Sequence, residues 1–236
     1  MARHRTSTLA LTAAALTAAL LVTGCSMSGG PVKKAERTYT VDGKVTTVDV
    51  ATHGGEITVL PVTGGDGKVR VTERYEYSDS KPDPEHRLEN GKFTIDKATC
   101  GGALHGRCTV SVEVHAPRTA DLRLSTSGGN ITVRGASGTV AADTRGGNVT
   151  LEDCASRSAT AHTKGGDVTA SFTVVPDSVD GRTSGGDVRI RLPKGTYAVD
   201  ASTSGGNREV VVPTDEGSAH KVTARTQGGD VRVLGQ

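Results

Sequence analysis

Thr183-Ser184-Gly185-Gly186-Asp187-Val188-Arg189-Ile190-Arg191-Leu192 joins a polar corner to a run with Val, Ile and Leu at alternate positions and Arg between them. Successive side chains of a strand point to opposite faces, so the alternation predicts a half-buried strand with its aliphatic residues inside. The corner recurs as Thr-x-Gly-Gly-(Asp/Asn/Glu) with its Thr at 52, 126, 144, 163, 183, 203 and 226. From Thr126 onward the intervals are 18, 19, 20, 20 and 23 residues. Such a spacing fits one coil of a β-solenoid, whose turns bury their apolar faces only by stacking on one another. The expected fold is therefore all-β, a parallel β-helix-like solenoid of ~18–23 residues per coil.

Each conspicuous residue of the corner has an expected structural role. The second glycines, Gly129, Gly147, Gly166, Gly186, Gly206 and Gly229, are read as turn positions where Gly-Gly supplies the positive φ of a sharp corner. The following Asp or Asn is expected to close an Asx-type turn, and the Thr to stack or bond at the corner. Asn207-Arg208-Glu209-Val210 places Arg where the pattern wants Val, which predicts a bulge or a displaced corner in that coil.

Composition agrees with a thin aliphatic interior. The 236 residues include 31 glycines and only 3% aromatics. Large rings supply much of the buried area of compact helical or α/β enzyme cores, so that class is disfavoured. Charge nearly cancels, 28 Lys+Arg against 26 Asp+Glu, which argues against nucleic acid as a partner.

Between Thr52 and Thr126 the repeat lapses. Lys68-Val69-Arg70-Val71-Thr72-Glu73-Arg74-Tyr75-Glu76-Tyr77, Phe93-Thr94-Ile95 and Cys108 to Val114 read instead as antiparallel strands around a polar, Pro-containing loop at 79–86. This irregular antiparallel N-terminal segment is expected to cap the solenoid, whose open edges would otherwise recruit other chains; a separate small sandwich is the alternative. The domain boundaries read 38–120 for the first repeat and cap and 121–236 for the array.

The N-terminus reads as an export leader. Arg3, His4 and Arg5 precede a 14-residue, largely apolar run from Leu9 to Val22. That run is shorter than the ~20 residues a membrane-spanning helix needs. It ends in Val22-Thr23-Gly24-Cys25, which resembles the lipobox of bacterial lipoproteins. The resemblance implies a signal peptide over 1–24, lipidation of Cys25, and an extracytoplasmic chain held to the bacterial cell membrane by its acyl chains. Residues 25–37 then form the lipidated cysteine and a flexible Gly/Ser/Lys tether. In an oxidising compartment, Cys100 and Cys108, separated by a short Gly-rich stretch, are expected to form a disulfide, and Cys154 to be a buried small residue.

Taken together, Thr183-Ser184-Gly185-Gly186-Asp187-Val188 and its copies, one early repeat at Thr52, an irregular stretch and then an array resemble the bacterial family known as putative adhesins, which also occurs among envelope-stress proteins. The resemblance covers about 38–236. It implies a β-solenoid-like fold and an envelope location, with no established reaction and no catalytic residues to carry over.

Motifs for catalysis are wanting. There is no Gly-x-Ser-x-Gly, His-Glu-x-x-His or Walker-type loop, so no nucleotide or other cofactor is expected. Asp167, Asp187 and Asp230 with Asn130, Asn148 and Asn207 would stack along one corner, but half of them are neutral and the calcium nonapeptide of β-rolls is absent, so turns are favoured over a metal. A polysaccharide-cleaving β-helix would draw on outward Asp187, Arg189 and Arg191, for which simple solubility is the stronger reading. The array 121–236 carries 13 basic and 13 acidic residues, a mixed surface suited to glycan or protein contact rather than to a polyanion. The reading is an envelope binding or scaffolding module; the rivals are an enzyme acting on envelope polysaccharide and a structural or stress-sensing module.

Overall fold

The computed structural model describes residues 31–62, 68–98 and 107–236, and every regular element among them is a β-strand. The chain enters with β1 (Lys33–Val41), makes a first coil from β2 (Thr47–Ala51) and β3 (Ile57–Pro61), and departs from the coil pattern in β4 (Val69–Tyr77), β5 (His86–Glu89), β6 (Lys92–Ile95) and β7 (Cys108–Ala116). Three coils follow, β8 (Asp121–Thr126) with β9 (Ile131–Arg134), β10 (Val140–Thr144) with β11 (Val149–Cys154), and β12 (Ser158–His162) with β13 (Val168–Phe172). Three more complete the chain, β14 (Ser178–Arg182) with β15 (Val188–Leu192), β16 (Ala198–Ser202) with β17 (Arg208–Val211), and β18 (Lys221–Arg225) with β19 (Val231–Gly235). Every Thr-x-Gly-Gly corner carries the chain from one sheet to the other.

The strands form two stacked sheets that do not close on each other. One has ten strands in the order β1-β4-β7-β3-β9-β11-β13-β15-β19-β17, the other nine in the order β16-β18-β14-β12-β10-β8-β2-β6-β5. The coils pair in parallel, in register: Val149 stands beside Ile131 and Val168, and Val188 beside Val168 and Val231. The core between the sheets is thin. Val and Ile of the ten-stranded sheet face small residues of the other, such as Ala142, Ala159, Ala161 and Ala224. At Gly181 a Cβ would already stand 3.3 Å from Val188 and Ile190. Each buried Val or Ile contributes about 1.5–3 kcal/mol, so the stack is held by many modest increments.

The irregular segment is the expected antiparallel cap. β4 runs antiparallel to both β7 and β1, and β5 to β6, at the same end of the stack. β1 begins at Lys33, inside the stretch 25–37 read as tether. Its Lys34 pairs with Glu76 at 3.0 Å, and strand pairing with Glu73–Tyr77 orders what composition alone reads as linker. Charged side chains on β1 also discourage another chain from adding to that edge.

The other end departs from sequence order. The last coil, β18 and β19, does not stack outside β16 and β17 but lies between them and β14 and β15. The Arg208 coil is thereby displaced as a whole to the end of the stack, and β17 pairs with β19 without a break in register. The bulge expected there occurs instead in β11, between Leu151 and Cys154, where Asp153 has φ 50°. The physical reason is the side chain at 208. Arg208 stands in register with the buried Val231, a position an internal coil fills with Val, and only a terminal coil leaves room for a guanidinium.

Candidate functional site

The corners form three parallel ladders along the stack. From Thr126 onward each Thr hydroxyl turns inward and donates to the carbonyl of the second glycine of the coil beneath: Thr144 to Gly129 at 3.0 Å, Thr163 to Gly147 at 2.7 Å, Thr183 to Gly166 at 2.7 Å. Thr226 continues to Gly186 at 2.8 Å and Thr203 to Gly229 at 2.7 Å, following the spatial rather than the chain order. The same hydroxyl accepts the N–H of its own second glycine, for example Gly166 at 3.3 Å and Gly206 at 3.1 Å. One oxygen thus closes its corner and bonds it to the next.

This geometry corrects the reason for the glycines. Among the described residues the glycines with positive φ are Gly43, Gly91 and Gly135, none of them in a Thr-x-Gly-Gly corner. What the second glycine supplies is close approach. A Cβ on Gly129 would stand 2.1 Å from the Gly55 carbonyl oxygen, on Gly147 2.1 Å from that of Gly129, and on Gly166 2.2 Å from that of Gly147. The same contact would be 2.3 Å at Gly186, 2.3 Å at Gly229 and 2.2 Å at Gly206. Stacked corners pass backbone against backbone, and any side chain there would push the coils apart.

The Asp/Asn position is corrected as well. Its side-chain oxygen does not close its own turn but accepts the backbone N–H of the equivalent residue one coil on. Asn148 bonds Asn130 at 2.9 Å, Asp167 bonds Asn148 at 2.8 Å, Asp187 bonds Asp167 at 2.9 Å, Asp230 bonds Asp187 at 2.8 Å and Asn207 bonds Asp230 at 2.8 Å. Amide and carboxylate oxygens serve equally as acceptors, which explains why Asn and Asp interchange. The Asn207 N–H and the Arg232 charge hold the Asp230 carboxyl below the usual carboxylate range. Asp187, named above as an outward acid, is engaged in this ladder, while Arg189 and Arg191 lie on the outer side of β15.

A chain folded this way presents long in-register rows of side chains. On the outer side of the ten-stranded sheet, Thr58, Thr132, Thr150 and Thr169 follow one another across four strands before Arg189 and Arg232 take the same position. Where the nine-stranded sheet runs into the Thr corners, an open groove of about 480 Å³ is lined by Asp143, His162, Lys164, Arg182 and Arg225, with Ser184 and Ser202. Its His162, Arg182 and Arg225 are successive neighbours in register.

The repeat, the corners and the two-sheet stack match a known architecture, and a family model covers residues 45–234 of the sequence. The chain belongs to the Toastrack DUF4097 family. No curated protein is similar to this Toastrack chain in sequence. Its fold is that of a solved structure of very different sequence. A putative adhesin from Bacteroides fragilis is 14% identical, with 88% of this chain and 99% of that one aligned at a TM-score of 0.50. A putative cell adhesion protein from Clostridium sporogenes is 10% identical over 86% of this chain and 100% of the other, with a TM-score of 0.45.

The Toastrack cap holds a buried polar cluster that the repeat pattern did not reveal. Glu73 of β4 is 0% exposed. Its carboxylate accepts the Tyr39 hydroxyl at 3.1 Å and the hydroxyl of Tyr75, and meets His86 Nε2 at 2.6 Å. Burial, then the neighbouring carboxylate, pushes both tyrosine hydroxyls well above their ordinary range. The four side chains come from β1, β4 and β5, so the cluster ties one sheet to the other across the cap. A signal for it exists in the sequence: in Val69, Val71, Glu73, Tyr75 the acid occupies an inward position of the alternation.

The cysteines fall as follows. Cys154 is buried in the Toastrack core as a free thiol, and burial pushes it up to about 11, which makes it an inert packing residue. Cys108 opens β7, whereas Cys25 and Cys100 lie outside the described residues.

Proposed function

We propose that this Toastrack chain is an exported, lipid-anchored binding module of the bacterial cell envelope that holds an extended glycan or protein ligand along the outer rows of its solenoid. The observation that carries the reading is the register of those rows. The three corner ladders fix successive coils at the ordinary strand spacing of about 4.8 Å, so equivalent side chains repeat along a rigid surface many strands long. Such a surface suits a linear partner better than a compact small molecule. The adhesin description of the Bacteroides fragilis structure of the same fold points the same way.

The anchor rests on Val22-Thr23-Gly24-Cys25, with the acyl chains on Cys25 supplying membrane attachment. A disulfide between Cys100 and Cys108 belongs to the same oxidising compartment. The anchor is tested by fractionation: Cys25→Ala should leave the membrane fraction, and unchanged partition would remove that part of the proposal. The binding claim is tested by co-sedimentation of the full chain, purified in mild detergent, with isolated envelope fractions, while newly released reducing ends are assayed. Saturable sedimentation without released sugar is expected. Release of reducing ends would favour a polysaccharide-cleaving enzyme, and absence of sedimentation would contradict envelope binding.

A further inference from the structure

The charge of this chain is balanced overall, but the fold does not distribute it evenly. Across the groove at the Thr corners, the strand position just before the corner is filled on successive coils by His162, Arg182 and Arg225, in register from β12 to β14 to β18. Like charges directly opposite one another on adjacent strands destabilise a sheet. Here the cost is met only in part. Arg182 Nε pairs with Asp180 at 2.6 Å, Arg225 with Asp200, and His162 lies 3.5 Å from the other Asp180 oxygen. A guanidinium carries five N–H donors, and each arginine spends one on its aspartate. Lys164 has no ion pair among the described residues, and Asp143, in register with His162, is the one carboxylate lining the groove.

We propose that this groove binds a linear anionic glycan of the envelope, laid along the solenoid axis with its carboxylate or phosphodiester groups against Lys164, Arg182 and Arg225. The proposal rests on the envelope-binding reading above and names its ligand class and site. Three further observations support it. The groove crosses five coils, from Asp143 to Ser202, a length of roughly 19 Å at the usual strand spacing, so it is a track rather than a pocket. Ser184 and Ser202 add hydroxyls to its walls, groups that suit sugar oxygens. No Tyr or Phe lines it, so the flat ring on which a neutral sugar stacks is missing and recognition falls to charge and hydrogen bonds. The pattern depends on the return of the last coil. Were the coils stacked in chain order, Ser202 would stand between Arg182 and Arg225 and the two guanidiniums would no longer be neighbours.

The test uses the full chain in mild detergent and three fluorescent oligomers: polygalacturonate, poly(glycerol phosphate) and neutral dextran. Anisotropy titrations should show binding of at least one charged oligomer and none of dextran, and which of the two binds identifies the anionic group. Raising salt from 50 to 200 mM should weaken binding about tenfold, as expected for a few released counterions. The double variant K164Q/R225Q should weaken it at least about tenfold with an unchanged melting temperature. R157Q/K194Q, which removes two exposed cations outside both the groove and the outer rows, should leave it intact. Equal losses in the two variants, equal binding of a single-stranded oligonucleotide, or no binding of either charged oligomer would overturn the proposal. If K164Q/R225Q still sediments with envelope like the unsubstituted chain, the groove assignment fails and the envelope-binding reading stands. If the unsubstituted chain does not sediment, that reading fails first.

Discussion

Arg208 reaches from the terminal strand of one sheet to the terminal strand of the other and donates from Nε to the carbonyl of Ala201 at 2.8 Å. The residue that breaks the repeat thus closes the end of the stack. In the same end coil Val211 is 61% exposed. Arg208→Val would restore the repeat consensus, remove that bond and widen the apolar end. The expected result is self-association through the exposed β16 and β17 edges, read as a mass that rises with concentration in light scattering. Masses identical to those of the unsubstituted chain at every concentration would contradict the capping role.

Gly186→Val should destabilise the array by at least about 3 kcal/mol, because the new Cβ would meet the Gly166 carbonyl oxygen at 2.3 Å and neither backbone can yield without parting the coils. Gly186→Ala should cost nearly as much, which separates a backbone clash from a β-branching effect. Chemical denaturation distinguishes them, and a harmless Ala would sink the close-approach account.

At the Asx ladder the account predicts an asymmetry between two substitutions at one site. Asp187→Asn keeps an oxygen for the Asp230 N–H, now bonded at 2.8 Å, and should be nearly neutral. Asp187→Ala removes the acceptor and should cost about 1 kcal/mol. Equal effects in thermal melts would show that charge, not the inter-coil bond, matters at this position.

The Glu73 cluster predicts sensitivity to alkali. Both Tyr39 and Tyr75 hydroxyls are raised above the ordinary tyrosine value by burial and by Glu73. The unfolded chain therefore releases these protons first. The stability gained by keeping them is fully present below about pH 10 and is lost as pH rises from there towards the folded values. Melting temperature should fall steeply above pH 10, and the fall should be shallower in Tyr39→Phe/Tyr75→Phe. Parallel curves for the two proteins would assign the alkaline loss to other groups.

Much of this fold is written in local sequence, and what is not has a physical reason. The Thr-x-Gly-Gly period and the alternation of Val188, Ile190 and Leu192 give coil, strand and inward face, because each depends on neighbours within a few residues. The bonds made by Asp187 and the glycine contact at Gly186 lie between coils 20 or more residues apart, so sequence points to the right residues while assigning them local roles. Arg208 announces an irregular coil, yet whether the irregularity is a bulge or an end is decided by what stacks on it. The groove was least legible, since His162, Arg182 and Arg225 become consecutive only once the last coil inserts.

That insertion underlies the end cap and the charged groove alike, and it is tested directly by engineered cross-links in a Cys154→Ala background. Ser178 stands in register with Lys221, and Lys221 with Ala198 on its far side. The paired variant S178C/K221C should form a disulfide on mild oxidation, visible by mass spectrometry of the digested protein, whereas S178C/A198C should not. The opposite result would mean that the coils stack in chain order, and the groove as described would not exist.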